Sequence, residues 1–173
     1  TKHAAIQKKI DPSSAYSEHK PTERLFDKDQ TLSQFSAKVI LCEPIRDQAD
    51  SSEPAWSVIL DRTGFYPESG GQLCDQGNLE DANVLHVGIN EGVIIHTVDR
   101  PLAQGAVTGK IDQFRRDQIS QHHTSVHIVG GSAREILGSH IWQAGSYKSE
   151  QLARLDITHF NRLTRDQLDE IED

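Results

Sequence analysis

The sequence predicts an α+β chain: short strands forming a small antiparallel barrel or sandwich, followed by a long helix, a strand pair and a closing helix. Three observations predict it. Between residues 35 and 111 apolar residues alternate with polar ones and turn residues punctuate the runs. After Asp112 the apolar spacing lengthens to that of a helix. After Gly138 two more alternating runs flank a polar turn, and Thr164 with Gln167 then makes a capping box.

Taken in order, residues 1–22 (TKHAAIQKKIDPSSAYSEHKPT) show no stable periodicity and hold a Ser pair and two prolines, so they read as an arm or linker. Strands are expected in FSAKVILCE (35–43), AWSVILD (55–61), NVLHVGI (83–89), GVIIHTV (92–98) and GAVTGKI (105–111). Between them lie RDQADSSEP, ESGGQ, NEG and RPLAQG, and strands this short and this closely spaced suit a barrel or sandwich over residues 23–110. A second segment, 111–173, opens at Asp112 as an N-cap. Ile119, Val126, Val129, Ala133, Ile136 and Leu137 follow at helical spacing, and Gly138 is a natural stop. Gly130 and Gly131 inside this helix cost about 1 kcal/mol each relative to Ala, which close approach of a backbone or ligand would explain. Strands over 141–145 and 152–158 come next. The last helix, RDQLDEIED, runs about two turns to the chain end, so the expectation is a truncated piece of a longer protein, in keeping with a start at Thr1 and no methionine.

Composition narrows the function classes. At 173 residues, with 35% hydrophobic and 25% charged, the chain can bury a core without staples. No apolar run approaches the roughly 20 residues that span a bilayer and the start lacks a signal-peptide core, so a cytosolic protein without membrane partners is expected. Cys42 and Cys74 are isolated thiols, read as buried apolar side chains rather than a disulfide framework. A net charge of -8 argues against nucleic-acid binding by bulk electrostatics but leaves room for a local basic patch that handles one RNA end.

Two stretches carry chemistry. In QHHTSVH (121–127), His123 and His127 stand four apart, one turn apart on a single helix face, where both imidazoles can reach one point. That is half of a metal site. Zinc takes three or four protein ligands, so spacing alone does not separate the pair from two ordinary histidines. A zincin protease would need Glu directly after the first of the two, and Thr124 stands there. His122 points about 100° away. The second stretch, DRTGFYPESGGQLCDQG (61–77), gathers Gly64, Gly70, Gly71, Gly77 and Pro67 as a loop with positive φ and close backbone approach would, though composition alone prefers an ordinary hairpin loop. Glu68 and Asp75 are a candidate acid–base pair whose separation nothing fixes. Arg115 and Arg116, two turns before the histidines, and Lys148 are candidates for phosphate contacts, or solvated surface charges.

Five stretches, TERLFDKDQTLSQF, LDRTGFYPESGGQLCDQG, GKIDQFRRDQISQHHTSVHIVGGSAREILG, IWQAGS and ARLDITHFNRLT, occur in the order found in the editing region of alanyl-tRNA synthetases. The chain resembles the archaeal form most and is also similar to free-standing alanyl-tRNA editing proteins, over residues 22–173. The resemblance implies an N-terminal β-barrel of the translation-protein type joined to a truncated α/β editing domain as in threonyl- and alanyl-tRNA synthetases. It implies hydrolysis of serine or glycine from tRNA for alanine, the partner being the acceptor end of that tRNA. Such editing is needed because a methylene-sized difference is worth only about 1–3 kcal/mol of discrimination. The resemblance further implies zinc, held by His123 and His127 and by a Cys-x3-His pair expected beyond Asp173. It places Gln143 facing the substrate amino acid, the alternative being an ordinary surface strand residue; Thr63 and the Gly70–Gly71 loop are candidates for lining the cleft between the subdomains. ATP is implied only if an aminoacylation domain lies upstream. Cys42, Cys74, His86, His96, His140 and His159 are the in-chain substitutes for the missing ligands, and no complete zinc site is expected from them. The alternative is a non-catalytic tRNA-binding or structural remnant of the same fold; alone, this chain is expected to be inactive.

Overall fold

The computed structural model describes residues 18–45 and 54–173. Residues 1–17 of the expected arm, and all but the end of the expected turn RDQADSSEP, lie outside the described residues. The chain forms two compact units: Ser69–Leu73 with Phe114–Asp173, and the remainder up to Gln113.

The first unit is built on a closed barrel. Its strands are β2 (Gln34–Pro44), β3 (Trp56–Leu60), β5 (Gly77–Leu79), β6 (Ala82–Asn90), β7 (Val93–Val98) and β8 (Gly105–Ile111), hydrogen-bonded in the order β2-β3-β7-β6-β5-β8 and all antiparallel. Closure settles the choice between barrel and sandwich. β2 pairs with β8 through its first half and β3 through its second, and an irregularity between Val39 and Leu41 marks the change. Such a bulge increases local twist and lets one long strand serve both neighbours. Phe35, Ala37 and Val39 alternate inward along β2, and β7 is buried at every position.

Phe35 fixes one register by size. It lies opposite Gly109, where an added Cβ would meet the Phe35 ring at 2.3 Å. The ring fills the space that a side chain at 109 would take and stands edge-on to fully buried Phe65, with ring centres 5.6 Å apart. Between β6 and β7 the two-residue loop Glu91–Gly92 has φ of 47° and 87°, the turn whose twist matches paired strands. The sequence does not display β5, nor the parallel pair β1 (Glu23–Arg24) and β4 (Arg62–Thr63): two or three residues are too few to show a period.

The second unit holds α1 (Gln113–Leu137), the antiparallel pair β9 (Gln143–Lys148) and β10 (Ala153–Ile157), and α2 (Arg165–Glu172). Ile119, Val126 and Ala133 are the buried apolar positions of α1, seven apart, whereas Val129 is exposed. Gly138, at φ +112°, ends the helix by donating its N–H to the Arg134 carbonyl. β9 starts two residues later than alternation suggests and continues to Lys148. The turn then closes through bonds between Ser149 and Leu152. α2 carries the complete Thr164–Gln167 capping box. The close approach expected at the helix glycines is not seen: Gly130 faces Leu155 at ordinary contact distance and the space beside Gly131 is open. Among the described residues no helix is long and apolar enough to cross a membrane.

Candidate functional site

The geometry of interest lies within the second unit. α1 carries His123 and His127 on one face with Nε2 atoms 3.0 Å apart and rings stacked at 4.9 Å. Gln72, from the short segment Ser69–Leu73, accepts a hydrogen bond at Oε1 from His123 Nδ1 at 2.6 Å. An amide oxygen only accepts, so the His123 proton sits on Nδ1 and the Nε2 lone pair turns toward His127. Two nitrogens on a tetrahedral zinc lie roughly 3.3 Å apart, given bonds of about 2.05 Å. The histidine pair fits two adjacent corners of such an ion, and Gln72 supplies the outer hydrogen bond that ligating histidines usually make. Burial holds the His123 pKa below its ordinary value, with Lys148 and His127 adding to the shift, so the ring is biased to the neutral form that binds metal.

The segment Ser69–Leu73 reaches this position by pairing with β9. Gln72 bridges Lys148 in parallel, Leu73 N–H donates to the Lys148 carbonyl, and Lys148 N–H donates to the Gly71 carbonyl at 2.7 Å. Only glycine permits it at position 71, where φ is +76° and an added Cβ would sit 2.0 Å from the Ser146 carbonyl oxygen. Gly70 has φ +58° with open space around it. Its carbonyl accepts from Lys148 Nζ at 2.9 Å and from Ser146 Oγ at 3.2 Å.

Lys148 is therefore no surface charge. It is 2% exposed, its ammonium bonds inward to Gly70 and Ser146, and burial lowers its pKa. Arg115 and Arg116 are likewise out of solvent, at 4% and 6% exposure, and Arg115 is paired with Glu150. Three side chains read as phosphate contacts are thus placed as buried cations. Gln143 is exposed on β9 and donates Nε2 to Ser146 Oγ at 3.1 Å. His122 donates from Nδ1 to the Ser149 carbonyl at 2.6 Å. Gln72 and Ser146 were not among the residues singled out from sequence; the one signal for Gln72 was its place directly after the glycine pair.

Other candidates belong to the barrel unit or stand apart. Thr63 is fully buried, and its hydroxyl lies 2.9 Å from His96 Nε2 while accepting from Phe65 N–H. His96 Nδ1 faces the Val58 carbonyl, so Nδ1 donates and Nε2 accepts the Thr63 proton. Burial pushes the His96 pKa down to about 4, keeping the ring neutral. Asp75 accepts the Tyr66 N–H, and Glu68 pairs with His86 at 3.2 Å, so the two carboxylates serve different partners. Glu68, Cys74 and His86 bring an oxygen, a sulfur and a nitrogen within 4.8 Å of one another. His140 and His159 form a second stacked pair, beside Phe160. Cys42 Sγ accepts the Leu102 N–H.

Residues 1–115 match the family model described as tRNA synthetases class II (A). The chain is 42% identical over 156 residues to an alanine–tRNA ligase of Halorubrum lacusprofundi, covering 87% of this chain and 16% of that protein. It is 49% identical over 122 residues to the ligase of Methanothrix thermoacetophila, covering 67% of this chain and 13% of that protein. With the ligase of Methanosarcina barkeri the identity is 37% over 177 residues, covering 96% of this chain and 18% of that protein. The chain thus spans less than a fifth of the length of these relatives.

Proposed function

The chain belongs to the class II (A) tRNA synthetase family, and from that premise we propose that it is the editing portion of an alanyl-tRNA synthetase, hydrolysing serine or glycine from tRNA for alanine. The relatives' shared name, alanine–tRNA ligase, supports the alanine system. In this reading residues 23–110 form a barrel of the translation-protein type and 111–173 open the deacylase domain. The observation that carries it is the His123–His127 pair with its tautomer set by Gln72, two imidazoles turned toward one point from one helix face.

His123 and His127 would hold zinc through Nε2, with further ligands from outside this chain. When bound, zinc would supply a Lewis acid for the ester carbonyl or an activated water. Gln72 holds the His123 ring in its ligating orientation. Gln143, exposed on β9, would accept a hydrogen bond from the serine hydroxyl, which alanine cannot offer. Sites that pair with a hydroxyl reject analogues lacking it far better than apolar pockets reject an added one. Gly70 and Gly71 would shape the wall of the same pocket. Lys148 bonds Gly70 and Ser146 from a buried position, Arg115 is paired with Glu150, Arg116 is buried, and Thr63 faces His96 within the barrel. The RNA partner would be the acceptor end of tRNA for alanine. ATP would enter only through an aminoacylation domain elsewhere in the natural protein, and a cytoplasmic location would follow from service in translation.

The test is serine release from seryl-tRNA for alanine by the full natural protein, with alanyl-tRNA as control. Hydrolysis selective for the seryl ester, lost together with zinc in His123→Ala, is the expected result. Equal rates on both esters, or full activity in a zinc-free His123→Ala protein, would overturn it and leave a non-catalytic tRNA-binding role.

A further inference from the structure

We infer that Lys148 is a specificity-positioning residue: acting through Ser146, it fixes which end of the Gln143 amide faces the ligand, and so favours an ester whose amino acid carries a hydroxyl. The inference rests on the reading that Gln143 faces the aminoacyl group.

Hydrogen-bond polarity at Ser146 sets the amide orientation. A serine hydroxyl has one proton and two lone pairs. Around Ser146 Oγ stand Lys148 Nζ at 2.6 Å, the Gly70 carbonyl oxygen at 3.2 Å and the Gln143 amide at 3.1 Å. Lys148 can only donate, so it occupies one lone pair. A backbone carbonyl can only accept, so the hydroxyl proton belongs to Gly70. One lone pair remains for Gln143, and only the NH2 end of its amide satisfies it. The carbonyl end, Oε1, is thereby turned away from Ser146 and toward solvent on an exposed strand position.

The opposite amide orientation would need the hydroxyl proton for itself. Ser146 Oγ would then present a lone pair to the Gly70 oxygen 3.2 Å away, two acceptors in repulsive contact. Lys148 keeps that contact in place, since its ammonium also bonds the Gly70 carbonyl at 2.9 Å and draws both oxygens to one cation. The side chain is 2% exposed, so water does not compete for these bonds. Without the ammonium, Gly70 and Ser146 can separate, the hydroxyl can turn, and the amide can flip. An acceptor held facing the ligand takes the hydroxyl proton in one fixed geometry; a freed amide alternates between that bond and one from its NH2 end to a hydroxyl lone pair, so the contact is no longer pre-organised for the seryl ester. A glycyl ester has no hydroxyl and does not sense the difference.

The experiment measures kcat/KM for seryl- and glycyl-tRNA for alanine in the full natural protein. Lys148→Met and Ser146→Ala should each lower the seryl ester's kcat/KM roughly tenfold, the scale of one lost hydrogen bond of about 1.4 kcal/mol, while glycyl turnover stays near its starting value. Ser146→Thr, which keeps the hydroxyl, should retain the seryl preference. A seryl-to-glycyl ratio unchanged in Lys148→Met and Ser146→Ala, but collapsed in Gln143→Ala, would overturn the relay and spare the role of Gln143. A ratio unchanged in Gln143→Ala would overturn the role of Gln143 itself. Equal losses on both esters in both Lys148→Met and Ser146→Ala would make the pair merely structural, and would also overturn the relay.

Discussion

His123 donates its Nδ1 proton to Gln72 Oε1 across 2.6 Å, although the two residues stand 51 positions apart in the chain. The bond joins a helix to a glycine loop inside one compact unit and leaves His123 Nε2 as the ring nitrogen with the lone pair. Outer hydrogen bonds of this kind typically contribute 10- to 100-fold to metal affinity.

Replacing Gln72 by Ala should therefore weaken zinc binding by about 10- to 100-fold, with secondary structure intact. Gln72→Glu keeps an acceptor and should hold zinc far better than the alanine variant. Competition with a chromophoric chelator measures both; an alanine variant that binds as tightly as the parent would refute the orienting role.

Among the described residues two groups of side chains bring metal-ligating atoms together: the histidine pair of α1, and Glu68, Cys74 and His86 in the barrel. Glu68 and His86 are already paired, and Cys74 lies fully buried within the apolar core. The spectrum of cobalt(II) added to the full natural protein should accordingly be unchanged by Cys74→Ser and lost in His123→Ala. A band that Cys74→Ser abolishes would move the metal to the barrel.

Acid should destabilise the barrel through His96. Its pKa is held at about 4 in the folded chain against roughly 6.5 unfolded, so the unfolded state takes up the proton first as pH falls. The stability is complete above about pH 6.5 and declines toward pH 4, by about 3 kcal/mol in all. Urea titrations at several pH values should show this slope, and His96→Gln should flatten it. Identical slopes in parent and variant would exclude His96 as the source.

The two loop glycines should differ sharply in tolerance. Ala at Gly70 meets nothing within 4 Å and incurs only the backbone penalty of φ +58°, roughly 1–2 kcal/mol. At Gly71 the new Cβ would stand 2.0 Å from the Ser146 carbonyl oxygen, so the loop must leave β9. Thermal unfolding should rank Gly71→Ala well below Gly70→Ala, and the former should also lose the zinc affinity that Gln72 supports. Equal melting temperatures would contradict the close approach.

Much of this was legible in order along the chain. The strands β2, β3, β6, β7 and β8 announced themselves by alternation, and α1 by apolar spacing, because each is long enough to repeat its period. β5 and the β1–β4 pair did not, being two or three residues long. The histidine pair was visible because i and i+4 on a helix share a face whatever surrounds them. The cations were not legible as buried: Lys148 and Arg115 look like surface charges until Gly70 and Glu150, far along the chain, are placed beside them, and Arg116 is buried as well.

By itself, then, the sequence determined what depends on neighbours within a turn or a strand: the period changes, the capping box at Thr164, and the facing of His123 and His127. Tertiary structure alone decided that the barrel closes, that Ser69–Leu73 leaves it to pair with β9, and that Gln72 and Lys148 meet the site from inside. The reason is physical. Hydrogen-bond polarity and burial are set by atoms brought together across long stretches of chain, and a local pattern carries no record of which distant group will arrive.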